Sequence, residues 1–135
     1  MNENLRELVE AWLDKAHNDI VSADQILLLP DGPTDTVCFH AQQAVEKSLK
    51  GVLTFHEVSF PKTHSLVRLL DLALRFMPEI ERFRERFAEM SAHGVEFRYP
   101  LGLPDPSREE AKAALAVAKK VLTDVRSHTG RLDAA

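Results

Sequence analysis

Gln43, Glu46, Lys47 and Lys50 recur at three- and four-residue spacing within the stretch 34–57. On a helix that spacing puts an amide, a carboxylate and two ammonium groups on one face, with His40 at its margin. Two readings of this face are open. In the first it is the wet side of an amphipathic helix, and Glu46–Lys50 is an ordinary i,i+4 ion pair. In the second it is one wall of a polar cleft, where Lys47 and Lys50 hold a phosphate and Gln43 reads a base or ribose. Phe39 falls on the same face, and the first reading does not expect a ring there unless something covers it. Further along, Phe97-Arg98-Tyr99-Pro100 sets a guanidinium beside a phenol in a proline-bounded stretch. Arg98 can fork onto a phosphate while Tyr99 presents a ring to a base. Alternatively Arg98 pairs with a carboxylate and Tyr99 seals one end of the fold.

Other chemistries find less support. The six histidines, His17, His40, His56, His64, His93 and His128, lie in separate segments. None forms the i,i+4 pair with a carboxylate that a metalloprotease helix needs, so no metal and no cofactor are expected. Cys38 is the single cysteine, which excludes an intrachain disulfide and a multi-cysteine zinc site. It sits at the edge of an apolar helix face and reads as packing. His64 follows Thr63, a good helix cap, and reads as a local structural hydrogen-bonder. No Gly-x-Ser-x-Gly elbow and no glycine-rich phosphate loop occur. Arg82, Arg84 and Arg86 are interleaved with Glu81, Glu85 and Glu89, which reads as a self-paired, solvated helix face.

The elements that must position these groups are helices. Leu5, Leu8, Trp12, Ala16, Ile20, Ala23 and Leu27 recur at helical spacing, and Pro30-Asp31-Gly32-Pro33 stops the run. The periodicity predicts helices near 5–29, 34–57, 64–76, 78–92 and 107–127. Thr34 or Asp35 caps the second, Thr63 the third, and Ser107-Arg108-Glu109-Glu110 is a capping box for the last. The second helix carries Val37, Ala41, Ala44, Val45, Ser48, Val52 and Phe55 on its apolar face; its small residues invite close approach of a neighbour. From His93 to Pro106 the pattern fails, and a loop of that length suggests function. No strand-like alternation and no internal repeat is present. The fold class is therefore all-α, an up-and-down bundle of about five helices.

A chain of 135 residues fits one domain, 1–135, with a frayed tail after about 127. Hydrophobic residues form 44% and charged residues 28%, enough for a core and too apolar for disorder. The net charge of -4 argues against a protein that coats nucleic acid by bulk electrostatics. Residues 1–50 are acidic, while 51–98 balance, so any anion-binding surface must be local. No run approaches the roughly 20 apolar residues of a membrane span, and the acidic start is unlike a secretory signal. A cytoplasmic location is expected.

Taken together, Trp12 and Ala16-x-x-Asp19, then Phe39-His40-Ala41-Gln42-Gln43-Ala44-Val45-Glu46-Lys47-Ser48-Leu49-Lys50, Thr63-His64-Ser65-Leu66 and Arg98-Tyr99-Pro100 resemble the HEPN family (higher eukaryotes and prokaryotes nucleotide-binding domain). The likeness runs from about Leu8 to Val125. It implies a HEPN-like bundle, a homodimer, and a minimal nucleotidyltransferase as partner in a two-component system, often of toxin–antitoxin type. Some relatives bind nucleotides. Others are metal-independent ribonucleases with an Arg-x(4–6)-His motif. Here Arg98 is followed at the required distances by Leu103, Pro104 and Asp105, with no histidine. Arg86 and His93 meet the spacing, but in the wrong context, one inside a helix and one in the loop after it. A ribonuclease without that histidine lacks its natural acid–base group near neutral pH. The resemblance therefore points to a non-catalytic protein that binds a nucleotide, another phosphate-bearing ligand or a partner through Gln43, Lys47, Lys50, Arg98 and Tyr99. A ribonuclease toxin and a purely structural oligomerisation module are the alternatives.

Overall fold

The structure, a computed structural model, describes residues 1–91 and 104–134. Arg98, Tyr99 and His93 therefore lie outside the described residues. Among those described, every regular element is helical: α1 (Glu3–Leu27), α2 (Thr34–Phe55), α3 (Leu66–Ala73), a 3-10 turn (Pro78–Phe83) leading into α4 (Arg84–Ser91), and α5 (Arg108–Ala134).

The ends of these helices follow local chemistry. The Asn2 side chain accepts from the Leu5 amide, which starts α1 two residues earlier than the apolar pattern suggests. Neither expected cap opens α2. Pro33 stands at its N-cap, the Thr34 hydroxyl donates to the Pro106 carbonyl at 2.7 Å, and Asp35 accepts from the next amide. Ser65, not Thr63, caps α3; Thr63 accepts from the Ser65 amide and so shapes the approach. Pro78 opens the 3-10 turn, and the chain relaxes to α-helix only at Arg84. Ser107 caps α5 by accepting from the Glu110 amide, as the capping-box pattern predicts. Helix α5 continues past 127, to Ala134. Thr129 is buried, and Arg6 Nη2 donates to Asp133 Oδ1 at 3.2 Å, tying the last turns of α5 to α1.

The three long helices form the frame. Leu13 of α1 meets Gly51 of α2, whereas Asp19 meets His40 and Lys47, so the pair runs antiparallel. Small residues allow the approach: a Cβ on Gly51 would lie 2.7 Å from Leu13 Cδ2. Helix α5 is antiparallel to α1, with Arg6 opposite Asp133 and Asp24 opposite Lys119. It must then run parallel to α2, because three mutually packed helices cannot all be antiparallel. Thr34 meets Pro106 at one end and His56 meets His128 at the other.

Helix α2 is the hub. It packs on α1, α3, α4 and α5, and none of its 22 residues is exposed. Val37, Ala41, Ala44, Val45, Ser48 and Val52 form the expected inner face. On α1 the buried stripe is Val9, Leu13, Ala16, Ile20 and Ala23, while Leu8 is 52% exposed. Two overlapping apolar registers are present in that sequence, and contact with α2 selects the one containing Leu13. Cys38 is fully buried, and its thiol is pushed up to about 11 by burial, then by Glu110 and Asp35, in keeping with a packing role. Arg84 pairs with Glu81 and Arg86 with Glu89, as the interleaved charges predict, whereas Arg82 reaches Asp124 of α5 and Arg84 also reaches Asp71 of α3.

His56 and His128 bind the ends of α2 and α5 through an Nε2–Nε2 contact of 2.8 Å. His56 also stacks on Phe76, with centroids 3.8 Å apart. One ring must donate and the other accept, so the contact cannot survive protonation of both. Burial lowers the pKa of each; His56 is lowered further by His128 and Arg75, and His128 by Arg131 against the opposing pull of Glu79. A folded-state pKa below the unfolded value of 6.5 means the unfolded chain binds more protons. The pair's contribution is thus complete above that value and is lost as pH falls through the folded values. Urea midpoints should drop on going from about pH 7 to about pH 5, and His128→Gln should flatten that drop.

Candidate functional site

The outward side of α2 is lined by α1 and by the segment before α3, and its polar residues are not a wet face. Gln42 is 0% and Glu46 5% exposed, and Asp19, reaching across from α1, is 8% exposed. Burial of such groups is tolerated only when their hydrogen bonds are met and their charges matched. Both conditions hold, in a repeated pattern.

Each carboxylate holds one ammonium and one imidazole. Asp19 Oδ2 accepts from Lys47 Nζ at 2.7 Å, and its Oδ1 lies 2.8 Å from His40 Nδ1. Glu46 Oε2 accepts from Lys50 Nζ at 3.1 Å, and its Oε1 lies 3.0 Å from His64 Nδ1. A carboxylate only accepts, so in both imidazoles Nδ1 carries a proton, and in the neutral ring Nε2 is the acceptor nitrogen. The same arrangement fixes ring orientation in carboxylate–histidine pairs generally.

Gln42 joins the second cluster. Its Nε2 donates to Glu46 Oε1 and to the His64 carbonyl, each at 3.2 Å, and its Oε1 accepts from Gln43 Nε2 at 2.7 Å. His64 is therefore held at its ring and at its backbone. Lys50 is further confined by aromatic faces: Nζ lies 5.7 Å from the ring centroids of both Trp12 and Phe60, which meet edge to face. Phe39 is half-buried, and its ring meets that of His40 edge to face.

Three of the five sequence-derived site residues thus share one stripe of α2. Gln43 is tied to Gln42, Lys47 to Asp19 and Lys50 to Glu46; the two lysines are charge-balanced cations. Arg98 and Tyr99 lie outside the described residues. Of the alternative catalytic pair, Arg86 is exposed on α4 and faces Glu89 at 3.8 Å, and His93 is outside the described residues. Asp19, Gln42, His40 and His64 complete the cluster. Their signal in the sequence is Asp19 falling beside the Ala16–Ile20–Ala23 stripe, and Gln42-Glu46-Lys50 rising at i,i+4,i+8.

Other places offer less. A cavity of about 90 Å³ at the far end of α1 is lined by Arg6, Glu10, Arg126 and Asp133. Those charges are spent on one another, through Arg6–Asp133 and Arg126–Glu10. Among the described residues, no three His, Cys, Asp or Glu side chains converge to hold a metal, and no helix is long and apolar enough to cross a membrane.

Comparison with known proteins places this architecture. The HEPN domain family model matches residues 9–128, nearly the whole frame from α1 to α5. The crystal structure of TT1696 from Thermus thermophilus is similar at 29% identity and a TM-score of 0.73, over 89% of this chain and 97% of that one. No curated protein matches the chain.

The Glu46–Lys50 pair yields a stability test. Glu46→Ala strands an ammonium among aromatic rings and frees Gln42 and His64, and should cost about 3 kcal/mol. Adding Lys50→Met to Glu46→Ala should recover part of that loss, measured as a coupling in a double-mutant cycle of urea unfolding.

Proposed function

The chain belongs to the HEPN domain family, and from that premise we propose that it is a non-catalytic binding protein. It takes a nucleotide or another phosphate-bearing group on the outward side of α2. It acts as a homodimer beside a minimal nucleotidyltransferase, in a two-component system of toxin–antitoxin type.

The observation that carries the reading is the double cluster on α2. Apolar residues would fill the space between α1 and α2 at lower cost than two buried carboxylates, each with two cationic or titratable partners. Groups so held keep their geometry before a ligand arrives, which lowers the ordering cost of binding. Gln43 and Lys47, both half-buried, stand at the edge of this cluster and supply neutral and charged donors. Arg98 adds the bidentate fork to a phosphate and Tyr99 the ring beside a base. The exposed, acid-paired position of Arg86 gives no support to a nuclease pair with His93.

Titration calorimetry with a panel of nucleoside mono-, di- and triphosphates tests the binding. Arg98→Ala should weaken it by about one to two orders of magnitude, from the worth of a charge-assisted contact, and His93→Ala should leave it unchanged. Unchanged binding in Arg98→Ala removes Arg98 from the site. RNA cleavage that disappears in His93→Ala replaces this reading with the ribonuclease.

Assembly has its own test. A two-fold contact using one patch twice is the common solution for a chain of this size. Sedimentation at tens of micromolar, roughly where a specific interface holds, should give about twice the 15.2 kDa of one chain.

A further inference from the structure

Charge balance in the double cluster sets a condition on any anion that binds there. Asp19 and Glu46 are matched by Lys47 and Lys50, so with both imidazoles neutral the cluster carries no net charge. The lysines, which the sequence marks as the anion-holding groups, are already committed to carboxylates. Within these four paired groups a net positive charge arises only when an imidazole takes up a proton.

His64 is the ring placed to do so. Its side chain is 64% exposed, against 25% for His40. Its Nδ1 is fixed by Glu46 and its carbonyl by Gln42, while Nε2 makes no hydrogen bond among the described residues. An exposed ring held at two points is pre-aimed without being needed to fill the core. Glu46 sits directly behind it, so an imidazolium at His64 has a carboxylate on one nitrogen and can donate from the other. Other charged groups stand around it among the described residues. Lys50 acts through Glu46 from α2. Lys62 and Arg68 flank His64 in its own segment and the first turn of α3. The adjoining contact from α4 is neutral, the Ser91 hydroxyl accepting from the Leu66 amide.

We propose that His64 is an oxyanion-binding residue that becomes a donor on protonation, so that the protein takes up a proton as it binds a phosphate group. This rests on the binding role argued above and adds to it a residue and a linked proton. The shared chemistry is a tetrahedral oxyanion, whether free or part of a nucleotide.

The test needs probes whose own charge is constant between about pH 6 and pH 8, the interval in which imidazoles titrate. Sulfate and the phosphodiester dinucleotide adenylyl-(3′→5′)-adenosine qualify, whereas phosphomonoesters titrate there. Calorimetry at fixed ionic strength, in two buffers of different ionisation enthalpy, counts the protons. The dinucleotide should bind about tenfold more tightly at pH 6 than at pH 8, with uptake averaging about half a proton over that interval. His64→Asn keeps a donor for Glu46 but cannot ionise, and should abolish both the pH slope and the uptake. Sulfate binding with the same slope supports a site that reads the oxyanion alone; dinucleotide binding with that slope but no sulfate binding supports one that also reads the nucleoside. A pH-independent affinity in the wild-type protein, which needs no variant to fold, overturns the proposal and leaves the binding role standing. A slope that survives in His64→Asn also overturns it. Failure of the dinucleotide, sulfate and the nucleotide panel to bind at either pH overturns both.

Discussion

A helix set so deep that none of its residues is exposed gives its polar groups little water to fall back on, and that condition governs the rest of this molecule. Helix α2 meets α1, α3, α4 and α5, and none of its residues is exposed. Its amides and charges must find partners within the protein, or lose several kilocalories each. The inner side solves the problem by composition, with alanines, valines, a serine bonded back to the Ala44 carbonyl, and Gly51 against Leu13. The outer side solves it by pairing, which requires an acid from α1 and a histidine from the segment before α3. The positions of Asp19 and His64 are consequences of how deeply α2 is set.

This distinguishes the α2 pairs from the many others in the protein. Arg84 with Asp71 and Glu81, or Arg126 with Glu10 and Asp14, lie on the surface, where such contacts contribute little and are screened by salt. Around Asp19 and Glu46 the dielectric is lower and the geometry is fixed by several contacts at once, so a change at one member is felt by the others. Trp12 and Phe60 strengthen this by closing over Lys50. Electrostatics on the surface tunes solubility; here it fixes how the side chains are oriented.

The sequence made the helical frame legible because apolar residues recur at helical spacing along each long helix, and Pro30-Asp31-Gly32-Pro33 and Ser107 mark where α1 stops and α5 starts. It was less informative where two registers compete, as on α1, where Leu8 and Val9 are both plausible and only the partner helix decides. Pro78 marked a helix start, but periodicity cannot separate a 3-10 turn from an α-helix over six residues. Thr129 and Asp133 continue α5 through contacts with residues over a hundred positions away or with its own carbonyls, which a local pattern does not reveal. At the site, the stripe Gln43-Glu46-Lys47-Lys50 was visible, and its burial was not. Whether a polar helix face meets water depends on what lies across from it, and Asp19 and His64 come from other elements. The HEPN-like string at Phe39–Lys50 carried that information as a pattern, without its physical cause.

The parallel alignment of α5 with α2 has a bearing on how the chain assembles. Contacts between Asp19 and Lys47 span 28 positions, whereas those between α2 and α5 span 72. The α1–α2 hairpin closes through the nearer contacts and contains Asp19, His40, Gln42, Gln43, Glu46, Lys47 and Lys50. During synthesis it leaves the ribosome well before α5 exists. Local contacts form earlier than distant ones, so the charged stripe can be in place while the opposite, apolar side of α2 still awaits its cover. The nascent hairpin then has one face that lacks only His64 and one adhesive face, and α5 must reach the latter before another chain does.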